Sequence, residues 1–116
     1  MRTFFQLQYK LMSDDTLFEA TTGLGFKVRV SRKMWDLIIE TKHPVMRGRE
    51  LDVQETLVSP NEIRRSRRDQ SVFLFYRLER PGRWICAVAK RVDDGGFLIT
   101  TYPTDSIKEG KRVWGK

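Results

Sequence analysis

Near the start of the chain apolar positions recur every second residue: Phe5, Leu7 and Tyr9 within Thr3 to Lys10, then Phe26, Val28 and Val30 with Lys27 and Arg29 between them. Side chains alternate between the two faces of a strand, so this spacing predicts half-buried strands. A further short strand fits Leu17 to Thr21, set off by the turn residues Ser13, Asp14 and Asp15 and by the breakers Gly23 and Gly25. Together these predict an N-terminal hairpin or meander.

The period then lengthens. Ser31 has the chemistry of a helix cap, and beyond it Met34, Trp35, Ile38 and Ile39 fall on one stripe, with Lys33, Asp36 and Glu40 away from it. Trp35 reads as a core anchor. The helix should stop near Lys42, because Pro44 disfavours a helical backbone at His43. Leu51, Val53 and Leu57 suggest another short helix. Ser59-Pro60-Asn61-Glu62 has the form of a cap, a first-turn proline and a capping-box acid, which predicts a helix leading into Arg64, Arg65, Arg67 and Arg68.

Three runs rich in β-branched and aromatic residues follow: Val72 to Leu78, Trp84 to Arg91 and Phe97 to Tyr102. Pro81-Gly82 and Asp94-Gly95 separate them, and such short connections imply an antiparallel meander. In the last run, period two predicts Leu98, Thr100 and Tyr102 on one face and Phe97, Ile99 and Thr101 on the other. The tail is polar and basic apart from Ile107, Val113 and Trp114, and its Trp is placed to dock on the sheet.

With 116 residues the chain is expected to form one domain around one core. No segment approaches the ~20 apolar residues of a membrane helix, and Met1 to Leu11 is too interrupted by polar residues for a secretory signal, so a cytoplasmic protein is expected. The single cysteine, Cys86, rules out an internal disulfide, falls far short of a cysteine zinc site, and sits in an apolar run that favours a buried, inert thiol. Charge adds more. Lys and Arg number 22 against 15 Asp and Glu, and a net +7 points to a polyanionic partner, with nucleic acid first.

RNA can be cut without metal when a base takes the proton of a ribose 2′-hydroxyl, an acid protonates the leaving oxygen and cations stabilise the phosphate between them. Imidazole suits either proton role, and His43 is the only histidine. Thr100 and Tyr102 could point together at a phosphate, and Arg77, set among apolar strand residues, marks either a cleft or a salt bridge, Glu79 being one candidate partner. Lys42, Arg47, Arg49, Arg64, Arg65, Arg67 and Arg68 are candidates for nucleic-acid contact, suited to phosphates more than to reading bases. No phosphate-binding glycine signature or metal-ligand pattern occurs, so neither a cofactor nor a metal is expected.

Taken in order, Trp35, Lys42-His43-Pro44, Thr56-Leu57, Ser59-Pro60 and Ile99-Thr100-Thr101-Tyr102 resemble the small phage- and bacteria-associated nuclease-like domains grouped with the barnase, EndoU, colicin and RelE toxins. The resemblance runs from Phe26 to the tail. It implies an α+β fold, with N-terminal helices packed on one face of an antiparallel sheet and a cleft on the other face. It also implies a metal-independent ribonuclease of toxin or phage-effector type, acting on RNA; an acidic antitoxin or immunity protein is a further candidate partner, whose existence the sequence leaves open. By position, His43 would be the general acid or base, Thr100 and Tyr102 would place the scissile phosphate, and Arg77 would stabilise its charge. Thr101 departs from the small apolar residue expected there. Two other readings stand beside it: a non-catalytic nucleic-acid-binding module, and a phage structural or host-interaction protein.

Overall fold

The hydroxyl of Ser31 ends one element and starts the next. In the computed structural model, which describes residues 15–116, strands β1 (Thr16–Thr21) and β2 (Lys27–Ser31) form an antiparallel hairpin. Ser31 Oγ then accepts from the Met34 amide at 3.0 Å and opens helix α1 (Arg32–Leu37). Trp35 and, beyond the helix, Ile38 and Ile39 are buried, as their stripe predicted. The helix widens into a π turn (Ile38–Lys42), gives way at Pro44 to a 3₁₀ turn (Pro44–Met46), and is followed by helix α2 (Glu50–Val58). The strand predicted over Thr3 to Lys10 lies outside the described residues.

Five more strands complete the fold: β3 (Glu62–Arg65), β4 (Val72–Arg80), β5 (Arg83–Val92), β6 (Gly95–Thr104) and β7 (Lys111–Gly115). The seven strands make one sheet in the order β1-β2-β6-β5-β4-β3-β7. The fold is α+β, mostly sheet, with two short helices, and no helix among the described residues is long and apolar enough to cross a membrane. The β4-β5-β6 meander is antiparallel as expected; β2 joins β6 in parallel, and only over Lys27–Arg29 against Gly95–Phe97.

Two apolar clusters lie on opposite faces of the sheet. The larger joins Trp35, Ile38, Met46, Val53 and Leu57 from the helical segments to Phe75, Ile85, Ala87 and Leu98 from the strands. The smaller, on the far face, is built from Leu74, Tyr76, Cys86 and Val88. Ile99, Tyr102 and Ile107 pack against it. Ile107 sits in the connection that crosses this face from β6 to β7.

Three sequence expectations are corrected. The helix predicted after Ser59 is strand β3, because tertiary pairing outbids a local capping signal: the Asn61 amide donates to Tyr76 O at 2.7 Å, Asn61 Oδ1 accepts from the Leu78 amide, and Ile63 is fully buried. Second, a bulge at Ile99 breaks the period-two pattern, since Leu98 pairs with Ala89 but Thr100 with Val88. Leu98 thereby turns to the helix side, while Thr100 and Tyr102 keep their shared face opposite Val88 and Cys86. Third, the tail does more than dock a tryptophan. As β7 it pairs with β3 along the sheet edge, placing Trp114 opposite Ile63.

Gly110 fastens the crossing connection to β3. Its φ of +85° suits glycine, and a Cβ there would approach the Arg65 carbonyl oxygen to 2.6 Å. Gly110→Ala should therefore lower stability by about 1–3 kcal/mol in urea titration. Trp35→Ala should cost about 3–5 kcal/mol by the same measurement.

Candidate functional site

β6 is longer than its parallel neighbour. Past Phe97 it has no second strand partner among the described residues, and the π and 3₁₀ turns lie against it instead. The π turn closes with the His43 amide donating to Ile38 O at 2.7 Å, and His43 adopts an extended φ of −140° and ψ of 74° ahead of Pro44. This geometry brings His43 to Tyr102, with ring centroids 5.3 Å apart and planes inclined by 38°. Beside them Lys42 Nζ lies 3.5 Å from Ile99 O.

Tyr102 offers this site its ring more than its hydroxyl. Burial, and then the neighbouring Cys86 thiol, hold its phenol well above the ordinary value, so it stays protonated and cannot serve as a base near neutrality. Tyr76 is held up in the same direction by burial and by the same thiol. Cys86 itself, fully buried, is pushed up to about 12, chiefly by burial, and is no nucleophile. The Thr100 hydroxyl is inaccessible and has no hydrogen-bond partner among the described residues, an arrangement that costs about 1–3 kcal/mol unless a partner arrives.

Arg77 stands apart from this group. It lies on the side of α2, where NH2 is 3.0 Å from Asp52 Oδ1, NH1 is 3.4 Å from Glu55 Oε2, and Nε donates to Thr56 Oγ1. The salt-bridge reading of Arg77 is the one the geometry favours, with Asp52 and Glu55 in place of Glu79. Glu79 instead accepts from Arg49 and, at 3.0 Å, from Arg83, while Arg49 also reaches Asp52 at 2.9 Å. Arg49 and Arg77 thus tie α2 to β4, their charge matched by carboxylates. The helical spacing of Asp52, Glu55 and Thr56 was the sequence signal for this network.

The other cations divide. Lys42 and Arg47 are exposed around the His43 turn. Arg64 is held by Glu62 and by the Gly110 carbonyl, and the Arg65 guanidinium lies 5.2 Å from the Phe73 ring centroid. Arg67 and Arg68 are exposed in the β3–β4 connection, where they share a pocket with Lys108, a residue that sequence reasoning passed over. A hollow of about 910 Å³ lies between β2 and the β5–β6 hairpin and is lined by none of the predicted site residues.

Comparison with known proteins found no matching family model, no similar curated protein and no similar solved structure.

The Glu79 carboxyl is held below its ordinary 4.5, first by the hydrogen bond from Arg49 and then by Arg83, against the opposing effect of burial. A carboxyl that ionises more readily folded than unfolded adds stability above the ordinary value, and that stability is lost as pH falls through the folded one. Urea midpoints should therefore fall between pH 7 and about 3.5, and Glu79→Gln should show a smaller fall than the parent chain.

Proposed function

We propose that this chain is a metal-independent endoribonuclease with His43 as its acid–base group. The observation that carries the reading is the approach of His43 to Tyr102, residues far apart in the chain, with Lys42 alongside and the unpartnered Thr100 hydroxyl on the same strand. The ordered likeness to the barnase, EndoU, colicin and RelE group supports the same assignment, as does the net charge of +7.

In this mechanism the His43 imidazole accepts the proton of a ribose 2′-hydroxyl, and the 2′-oxygen attacks the adjacent phosphorus. The bond to the 5′-oxygen breaks, that oxygen takes a proton from solvent, and a 2′,3′-cyclic phosphate remains. Lys42 offsets the charge that builds on the phosphate oxygens. Tyr102 gives the imidazole a flat surface to rest on, which fixes its orientation. A toxin or phage effector of this kind would be neutralised by an acidic partner covering the basic surface.

A second reading, a module that binds RNA without cutting it, draws support from Arg49 and Arg77. Both are occupied by carboxylates, which leaves Lys42 and Arg47 as the cations around His43.

Incubation of the purified chain with total RNA in EDTA separates the two. Cleavage is expected in the parent, with a loss of about 10²-fold or more in His43→Ala. Cleavage retained by His43→Ala would overturn the assignment, and RNA binding without cleavage in both proteins would favour the second reading.

A further inference from the structure

The ladder between β3 and β7 ends where Arg65 lies opposite Lys111. Beyond that pair the two chains part: Ser66, Arg67 and Arg68 lead away from β3, and Lys108, Glu109 and Gly110 lead into β7. Together they line one pocket of about 320 Å³, which Leu74 of β4 completes. Both walls are anchored. On one side the Ser66 amide donates to Val72 O at 2.9 Å, and Ser66 Oγ accepts from the amides of Arg68 at 3.2 Å and Asp69 at 3.4 Å. On the other, Gly110 is seated against Arg65, and its carbonyl accepts from Arg64 at 3.3 Å.

Arg67, Arg68 and Lys108 are exposed, and none has an ion-pair partner among the described residues. The acid next in sequence, Asp69, is occupied elsewhere: it accepts from the Ser71 amide at 2.9 Å and hydroxyl at 2.6 Å and pairs with Lys90 at 3.3 Å. Glu62 is likewise committed to Arg64. Glu109 is the one acid in the lining, so three cations share the pocket with a single carboxylate. Other exposed cations are placed differently. Arg32 and Lys33 line a hollow that also holds Asp15, Asp36 and Glu40.

We infer that this pocket binds a phosphate monoester. Its surplus of two positive charges matches a terminal phosphate, which carries about −1.5 to −2 near pH 7, better than a backbone diester with its single charge. Guanidinium forks suit the phosphate oxygens in pairs, and the lysine adds a point charge. The Ser66 hydroxyl, whose oxygen already serves two amides, keeps its hydrogen to donate. The inference is independent of the His43 reading, since it requires no reaction and no ligand that reaches that site.

Titration of the isotope-labelled chain with adenosine 5′-phosphate, its singly charged methyl ester and inorganic phosphate, followed through amide NMR shifts at about pH 7.5, tests this. The monoester should move the amides of Ser66 to Arg68 and of Lys108 to Gly110, and should bind about tenfold or more tightly than the ester. The double variant Arg67→Gln, Arg68→Gln should lose about tenfold or more in affinity for the monoester, whereas Arg32→Gln, Lys33→Gln, which removes the same charge elsewhere, should lose little. Lys108→Gln should weaken binding from the opposite wall, so the result does not hang on the arginine loop keeping its shape. Equal affinity for monoester and ester, no binding, shifts confined to other amides, or an Arg67/Arg68 variant no weaker than the Arg32/Lys33 variant would each overturn the inference. Inorganic phosphate bound as tightly as the nucleotide would support a site for the phosphate group alone; a much tighter nucleotide would support one for the 5′ end of a nucleic acid.

Discussion

The arrangement depends on a mismatch of strand lengths. β2 must end at Ser31, because its hydroxyl is committed to capping α1, and β6 continues well past it to Thr104. The outer edge of β6 is therefore left without a ladder partner among the described residues, and backbone groups there need another neighbour. The π turn supplies one, with Lys42 Nζ near the Ile99 carbonyl. A histidine fixed between this turn and Pro44 then comes to rest on Tyr102, reached past the open edge of the strand.

Charge is partitioned in a way its total conceals. Part of the excess of basic residues is spent internally: Arg49, Arg77 and Arg83 bind Asp52, Glu55 and Glu79 and hold α2 against β4. These partly exposed pairs do more to fix how the helix sits than to drive folding, which rests on the apolar cluster beneath them. Exposed cations without an ion pair among the described residues include Lys42 and Arg47 near His43 and Arg67, Arg68 and Lys108 at the far pocket, but also Arg32, Lys33, Arg80, Lys111, Arg112 and Lys116 elsewhere.

The far face of the sheet is closed by few residues. Ile107, carried across by the connection to β7, packs on the cluster around Tyr76 and Cys86, and Gly110 seats that connection where a larger residue would meet the Arg65 carbonyl. The crossing chain thus buries the thiol and both phenols, raises all three above their ordinary values, and forms one wall of the basic pocket. One short segment shapes both the chemistry of the buried groups and the surface beside them.

By itself the sequence determined the local elements whose signals are short-range: the cap at Ser31, the stop before Pro44, the apolar stripe of α1, and the three strands of the meander with their tight turns. It also carried His43, Thr100 and Tyr102 as candidates, because their types and spacing were visible. Tertiary structure decided what depends on partners distant in the chain. Ser59 to Glu62 has a helix-start pattern, yet pairing with β4 and β7 made it lead into a strand. The bulge at Ile99 sent Leu98 to the helix side, and whether Arg77 served a cleft or a salt bridge was settled by carboxylates on α2. Propensity and periodicity report only neighbours along the chain; a strand's pairing, a bulge and an ion pair are set by groups that folding brings together from far apart.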